Sequence, residues 1–539
     1  MQEWWRGAVL YQIYPRSFAD SNGDGIGDLE GIRRRLPYVA ELGVQGIWLS
    51  PFFTSPMKDF GYDVADYRGV DPCFGTLADF DALLADAHRL GLKVIIDQVY
   101  SHSSDQHRWF AESRQSRDNP KSDWYVWADP RPDGTPPNNW LAVFGGPAWT
   151  WDTRRRQYYF HNFLPEQPDL NLHNPQVQDA VLAEAAFWLD RGVDGFRIDV
   201  ANLFCHDRRL RDNPPKPGPV LDRPYRMQRP LYTRDQPETL AFVARFRALL
   251  DRYPERMAVA ELASTDDSMT TMITYTDGPD RYHTAYSFKL MRDGIGGAEI
   301  REAIETMVRD SNQSWPSWAF SNHDVVRAPT RWSAKVGAAD SEPQLARLLI
   351  ALVCCLRGTV FLYQGEELGL PQAVVPFERL QDPEGRTFWP GYPGRDGART
   401  PMPWTMDAQN AGFCADDVEP WLPVDARAAR AVERQQQDPG SMLAFTRAFL
   451  AWRRQHRELI RGDIQFLDVP APLLAFERGA GGRRLLCLFN LAEGEYQLKA
   501  SRLGASPDAK VMSVPGAHGR LSEEIVCLSS LDFMMIKLP

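Results

Sequence analysis

Three carboxylates, each closing a short apolar run, are the part of this sequence best suited to chemistry. Gly195-Phe196-Arg197-Ile198-Asp199 presents an arginine and an aspartate, Val259-Ala260-Glu261 ends on a glutamate, and Phe320-Ser321-Asn322-His323-Asp324 ends on an aspartate. Each run reads as a strand that delivers its acid at the C-terminal end. Chemistry that needs one carboxylate as nucleophile and another as proton donor suits such a set, and glycosidic bond cleavage is the leading case. Arg197 precedes Asp199 by two residues, so strand alternation puts both on one face. There a guanidinium keeps the carboxylate ionised and oriented.

Such residues need a scaffold that brings several strand ends together. Residues 9–15, 46–51, 93–99, 195–200, 257–262, 285–290, 318–324 and 359–364 read as eight strands. Amphipathic stretches over 28–42, 76–90, 175–190, 237–252 and 342–356 read as intervening helices, with Thr76 as an N-cap and Gly91 as a stop. The centre Val94-Ile95-Ile96 has the continuous apolar character of a buried parallel strand. Eight such units predict an α/β fold, a (β/α)8 TIM barrel with its working groups at the C-terminal strand ends.

The barrel is expected over residues 1–100 and 172–460, with a small inserted domain at 101–171 after the third strand. The proline-rich stretch 205–237 reads as a lid or subsite wall, and 370–404 as a second wall. Residues 461–539 carry short strand-like runs separated by turns, a sandwich-like antiparallel β domain.

A net charge of −10 over 539 residues argues against a nucleic-acid partner, which favours a basic face. No apolar run is long enough for a membrane span, and the N-terminus lacks the pattern of a signal peptide. The seven scattered cysteines show no metal-type spacing and read as reduced thiols of a cytoplasmic protein.

The motifs Gln12-Ile13-Tyr14-Pro15, Gly61-Tyr62-Asp63, Asp97 to His102, Gln167-Pro168-Asp169-Leu170-Asn171, Gly195 to Asp199, Glu261, Asn322-His323-Asp324 and Ala398-Arg399-Thr400-Pro401-Met402 occur in that order. On these the chain resembles the α-amylase family of glycoside hydrolases (family 13), most closely its α-glucosidase and oligo-1,6-glucosidase branch. The resemblance implies a retaining mechanism on α-glucosides, with Asp199 as nucleophile, Glu261 as acid/base and Asp324 as the transition-state stabiliser that holds sugar hydroxyls. It implies that His102 and His323 donate to hydroxyls and that Asp97 organises the site. It also implies that Tyr62 and Asp63 pair with Arg399 to fix the terminal glucose and close the pocket, lined by Phe144, Phe163 and Gln167. Ala260 and Ser101 stand where many relatives carry Gly and Asn.

Oxygen-bearing residues alternate through Asp20-Ser21-Asn22-Gly23-Asp24-Gly25-Ile26-Gly27-Asp28, like the start of a calcium loop, but Gly31 at the twelfth position excludes an EF-hand. The branch implies one structural Ca2+ or Mg2+ held by Asp20, Asn22, Asp24 and Asp28 and the carbonyl of Ile26, and no organic cofactor. In the branch that the chain resembles, valine after the nucleophile, here Val200, accompanies α-1,6 preference, and Gln167-Pro168-Asp169-Leu170-Asn171 resembles its oligo-1,6-glucosidase subgroup. Hydrolysis of isomaltose-type substrates is therefore expected, with α-1,4 hydrolysis or glucosyl transfer to sugar acceptors as the alternative. A non-catalytic binding subunit is the remote alternative, and the assembly is expected to be a monomer or homodimer.

Overall fold

The computed structural model describes residues 3–538 except 219–222, 264–266, 293–295, 312, 337–341, 425–427 and 507–508. Eight strands, β1 (Val9–Ile13), β2 (Gly46–Leu49), β3 (Lys93–Gln98), β4 (Gly195–Ile198), β5 (Met257–Leu262), β6 (Thr284–Ser287), β7 (Ser317–Trp318) and β8 (Thr359–Tyr363), form one parallel sheet. Its order is β6-β5-β4-β3-β2-β1-β8-β7. A parallel bridge between Ala285 and Pro316 joins its two ends and closes the barrel.

Alternation along these strands separates two cores. Val94, Ile96, Phe196, Ile198, Ala258 and Ala260 pack outward with the helix layer. Leu10, Trp48, Ile95, Met257, Val259, Tyr286 and Phe361 pack with one another inside the barrel. Both sets are buried, which is why the strands read as continuous apolar runs. The same alternation carries inward the polar residues that follow Ile95 and Val259 by two places, Asp97 and Glu261.

The helices begin and end where the sequence provides for it. In α1 (Leu29–Leu42) the Asp28 carboxylate accepts from Gly31 N, and Gly43 ends the helix at φ 87°. In α2 (Leu77–Arg89) Thr76 and Asp79 form a reciprocal capping box. Asn174 caps α3 (Pro175–Asp190), which has proline in its first turn. Helices α4 (Pro237–Leu250) and α5 (Glu342–Cys355) cover the later strands.

The seventh strand is shorter than the expected 318–324. The ladder stops at Trp318, and the chain then turns because Asn322 Oδ1 accepts from Asp324 N at 2.8 Å. This Asx turn competes with strand pairing, so Asp324 is offered by a loop and not by a strand end. The sixth strand likewise stops at Ser287, where a 3-10 turn over Phe288–Met291 replaces the expected extension.

Between β3 and α3 lies a three-stranded antiparallel sheet, ordered Trp127–Ala128, Gln157–Phe160, Trp149–Asp152, around buried Trp140, Trp149 and Phe160. The described part of 205–237 is irregular apart from a 3-10 turn at Pro224–Met227 and an antiparallel bridge between Pro215 and Gln228; residues 219–222 of that stretch lie outside the described residues. It is tied to the inserted sheet through Asn139 and Asn213, which exchange bonds of 2.8 and 2.9 Å.

After the helix Met442–Arg453 comes a five-stranded antiparallel sheet, ordered Asp463–Phe466, Leu473–Ala480, Arg483–Asn490, Phe533–Leu538, Lys510–Val511. Leu485, Cys487 and Phe489 pack with the barrel core, whereas Leu486 and Leu488 pack against the second, three-stranded sheet. Both faces of the central strand are covered over Leu485–Phe489, so that run is apolar without a break, while Arg483 and Arg484 at its start are exposed. No helix among the described residues is long and apolar enough to cross a membrane, and all seven cysteines are free.

Candidate active site

Sheet register assembles the centre of the site. Arg197 on β4 stands abreast of Asp97 on β3 and Val259 on β5, and Glu261 stands abreast of Tyr286 on β6. Such close spacing at the start of β4 requires glycine, since a Cβ on Gly195 would lie 2.1 Å from the Met257 carbonyl oxygen.

Arg197 is fully buried and holds the cluster together. Its Nη1 donates to Asp97 Oδ1 and Asp199 Oδ1, each at 2.7 Å, and its Nε donates to the Tyr286 hydroxyl at 3.1 Å. Its Nη2 meets Glu261 Oε1 as an ion contact, without hydrogen-bond alignment. Tyr286 Oη in turn donates to Glu261 Oε1 at 3.0 Å, and Val200 N donates to Glu261 Oε2 at 3.3 Å. Val200 is a β-branched residue at φ 34°, in the left-handed region, where the chain turns sharply after the carboxylate.

Three carboxyls share one cation in a site from which water is largely excluded. Burial raises the pKa of Asp97, Asp199 and Glu261; Arg197 opposes the shift and the neighbouring carboxylates reinforce it, so that Glu261 rises to about 7. These groups titrate as a set, and the shared proton belongs to the cluster. Burial opposes protonation of Arg197, but Asp97 and Glu261 outweigh it and hold the guanidinium charged.

Asp324 sits in a different field. Its Oδ1 accepts from Arg399 Nη2 at 3.0 Å and Arg395 Nη1 at 3.2 Å, and its Oδ2 lies 3.2 Å from His323 Nε2. Burial works against ionisation, yet His323, Arg395 and Arg399 together hold this carboxyl below the ordinary carboxylate range. His323 is itself pressed down to about 3, chiefly by burial, and so is neutral near pH 7. Gln12 Nε2 bonds its Nδ1 at 2.8 Å and Tyr62 Oη bonds its Nε2 at 2.6 Å; Tyr62 Oη also donates to Asp97 Oδ2 at 3.0 Å.

One expected pairing is not made. Asp63 does not meet Arg399: its oxygens accept from Ser55 Oγ, Lys58 N and Asp59 N at 2.8–3.0 Å, which clamps the loop on itself. The carboxylate that meets a guanidinium here is Asp59, 2.8 Å from Arg395 Nη2, with Asp382 at 2.7 Å on the same nitrogen. Asp59, Asp382, Arg395 and Tyr286 are therefore members of the site that the motifs did not single out. The spacing carried no signal to choose between Asp59 and Asp63 or between Arg395 and Arg399, each pair being four residues apart.

The remaining expected residues gather on the wall. Gln167 Nε2 donates to Asp59 Oδ2 at 3.2 Å and lies 3.1 Å from His102 Nε2. His102, kept neutral by burial with a pKa of about 4, has Phe163 at 5.2 Å between ring centres, and Phe163 has Phe144 at 5.6 Å. The Arg395 guanidinium lies over the Phe144 ring at 4.9 Å. Arg223 of the proline-rich stretch contacts Glu384, in the short helix Pro383–Phe388 after β8, which links the two expected walls.

In the Asp20–Asp28 loop, Asp20 accepts from the amides of Asn22, Gly23 and Gly25, Asp24 from Ile26, and Asp28 from Ser21 and Gly31. Gly25, at φ 83°, packs so closely on Glu419 that a Cβ would lie 2.2 Å from its carbonyl oxygen. Among the described residues no three His, Cys, Asp or Glu side chains gather into a metal-binding group. The donors of the loop are nevertheless all oxygen, in kind the chemistry of a hard divalent cation, and carboxylate oxygens retain further lone pairs.

A closed parallel barrel with Asp199, Glu261 and Asp324 converging at its C-terminal face is an arrangement suited to enzymes that act on glycosidic bonds. The profile of the family described as "Alpha amylase, catalytic domain" matches residues 12–462, and the chain belongs to that family. It is 52% identical over 502 residues to a probable alpha-glucosidase of Rhizobium meliloti, covering 91% of this chain and 90% of the relative. It is 36% identical over 531 residues to an oligo-1,6-glucosidase of Heyndrickxia coagulans, covering 92% and 93%. Among solved structures, the alpha-glucosyl transfer enzyme XgtA superposes with a TM-score of 0.95 at 52% identity, covering 100% of both chains. The protein is a glycoside hydrolase of the α-glucosidase branch.

Proposed function

We propose that the site cleaves short α-glucosides from the non-reducing end with retention, through a covalent glucosyl-enzyme. The observation that carries this reading is the single guanidinium, Arg197, shared by Asp199 and Glu261. Asp199 Oδ1 is held by Arg197, which leaves Oδ2 to attack the anomeric carbon. As that bond forms, the carbon–oxygen bond to the leaving group breaks, and the leaving oxygen takes the proton of Glu261. An acceptor hydroxyl then gives its proton to Glu261, attacks the same carbon and frees Asp199. Glu261, its carboxyl raised by burial and by the neighbouring Asp199 and Asp324 carboxylates against the pull of Arg197, is suited to donate and then accept a proton near neutrality. Asp324, held ionised by Arg395 and Arg399, is suited to accept from sugar hydroxyls. The Asp59–Arg395 pair suits the hydroxyls of the terminal glucose and closes the pocket behind it.

Val200 and the likeness to oligo-1,6-glucosidases support α-1,6 linkages. The likeness to a glucosyl transfer enzyme supports a second reading, in which a sugar hydroxyl replaces water as acceptor. Initial glucose release from isomaltose and maltose at equal concentration, followed by product chromatography, separates them. Isomaltose preference with free glucose as product is expected. Maltose preference, or glucose appearing mainly in new oligosaccharides, moves the reading to the alternative. The Asp20–Asp28 loop, with Asn22, Asp24 and the Ile26 carbonyl, would hold Ca2+ or Mg2+ as a brace on the segment between β1 and α1.

A further inference from the structure

Tyr286 has no place in the motifs, yet among the described residues it is the only side chain hydrogen-bonded to both Arg197 and Glu261. It lies inside the barrel at 2% exposure, where Trp48 and Phe361 fix the ring at 6.2 and 6.1 Å between centres. The direction of its hydrogen bonds is not free. Arg197 Nε can only donate, so Tyr286 Oη accepts that bond at 3.1 Å. The single phenolic proton is then directed to Glu261 Oε1 at 3.0 Å. Oε1 also faces the cationic Nη2 of Arg197. One hydrogen-bond donor and one cationic contact thus occupy Oε1, whereas among the described residues Oε2 receives the longer bond from Val200 N at 3.3 Å.

We propose that Tyr286 is a positioning residue that decides which oxygen of Glu261 carries the catalytic proton. With the phenol donating to Oε1, protonation of that oxygen would set two hydrogens against each other. The proton therefore resides on Oε2, and Oε2 delivers it to the leaving oxygen and later takes the proton of the acceptor. This rests on the reading of Glu261 as acid/base. The phenol is able to act as a fixed donor because burial, together with Glu261 and Asp97, keeps it protonated throughout the working range despite Arg197.

Replacing Tyr286 by Phe keeps the ring packing and deletes only the polarising hydroxyl. Only the Arg197 Nη2 contact then disfavours the proton on Oε1, and Glu261 holds it less strictly on Oε2. For Tyr286→Phe we expect kcat on isomaltose and maltose to fall about tenfold, within the ordinary range of acid catalysis. The rate on α-glucosyl fluoride, whose leaving group needs little protonation, should stay within about twofold. The alkaline limb of the kcat/KM profile should move upward, because a donor to the ionised form has been lost. Site-specific 3-fluorotyrosine, a stronger donor of nearly the same shape, should move that limb downward. Equal losses on all substrates with an unmoved limb, or no loss at all, would overturn the proposal.

Glu261→Gln measured alongside separates the two claims. If it shows the same substrate split more strongly and Tyr286→Phe shows none, only the role of Tyr286 fails. If Glu261→Gln itself shows no split, the acid/base reading fails and the role of Tyr286 falls with it.

Discussion

Arg197 in the barrel mouth and Arg453 and Arg478 beneath the C-terminal sheet are all buried, yet they are matched with opposite kinds of partner. Arg197 faces three carboxyls, and their charge raises its hold on the proton. Arg453 donates to the carbonyls of Cys354, Gly7 and Leu459, and Arg478 to those of Asp463, Cys355 and Gly462. Burial without a carboxylate partner lowers both of their pKa values, that of Arg478 to about 10. The carbonyl sites close the C-terminus of α5 and join the barrel to the following sheet, and nothing in them titrates near neutrality. The carboxylate site stores protons that move in that range. Charge buried for chemistry is pH-sensitive, and charge buried for architecture is not.

Replacing each arginine by methionine breaks the comparison most sharply. Arg197→Met leaves three carboxyls without their cation and should destabilise by about 3–5 kcal/mol at neutral pH, with loss of turnover. The penalty should shrink on acidification, as the carboxyls protonate. Arg453→Met orphans carbonyls at about 1–3 kcal/mol each, and that cost should be flat from about pH 5 to pH 8. Urea melts of both variants across pH check the contrast; parallel pH dependence would contradict it.

Glu261→Gln sharpens the comparison within the site. The folded pKa of Glu261 lies above its ordinary value, so between pH 4.5 and about 7 the folded state binds the proton that the unfolded state has released. Wild-type stability from this group therefore falls as pH rises through that window. The glutamine variant should melt higher than wild type at pH 7.5, with the gain fading toward pH 5. Asp324 has the opposite sign: its stabilisation is present above its unfolded pKa and is lost on strong acidification. The smallest effect is expected at the Asp20–Asp28 loop, outside both groups. Chelation should lower the melting temperature by a few degrees or less and leave kcat at low temperature nearly unchanged.

The sequence disclosed those parts of the site that local pattern governs. Arg197 and Asp199 share a face because they are two residues apart on one strand, and the apolar runs around Ile95 and Val259 announced buried parallel strands. Tyr286 was not legible, because its place beside Glu261 comes from the register of β6 on β5, a pairing no local pattern encodes. Asp59 and Arg395 were obscured by Asp63 and Arg399, which share their spacing but turn elsewhere: Asp63 onto its own loop and Arg399 onto Asp324 and the His323 carbonyl at 2.8 Å. Strand β7 read too long because the apolar run continues to Phe320, two residues past the end of the ladder at Trp318, before Asn322 diverts the backbone. In the C-terminal sheet the run Leu485–Phe489 showed a buried strand but not its two separate partners, since a strand covered on both faces has no polar alternation to read.

The central claim is that Asp199 becomes covalently bound to glucose while Arg197 holds its other oxygen. Trapping with 5-fluoro-α-D-glucosyl fluoride, followed by peptic digestion and mass spectrometry, tests it directly. One fluoroglucosyl group on the peptide containing Asp199, absent from the Asp199→Asn variant, is the predicted result. A label on another residue, or rapid turnover of a good substrate by the Asp199→Asn variant, would contradict the account.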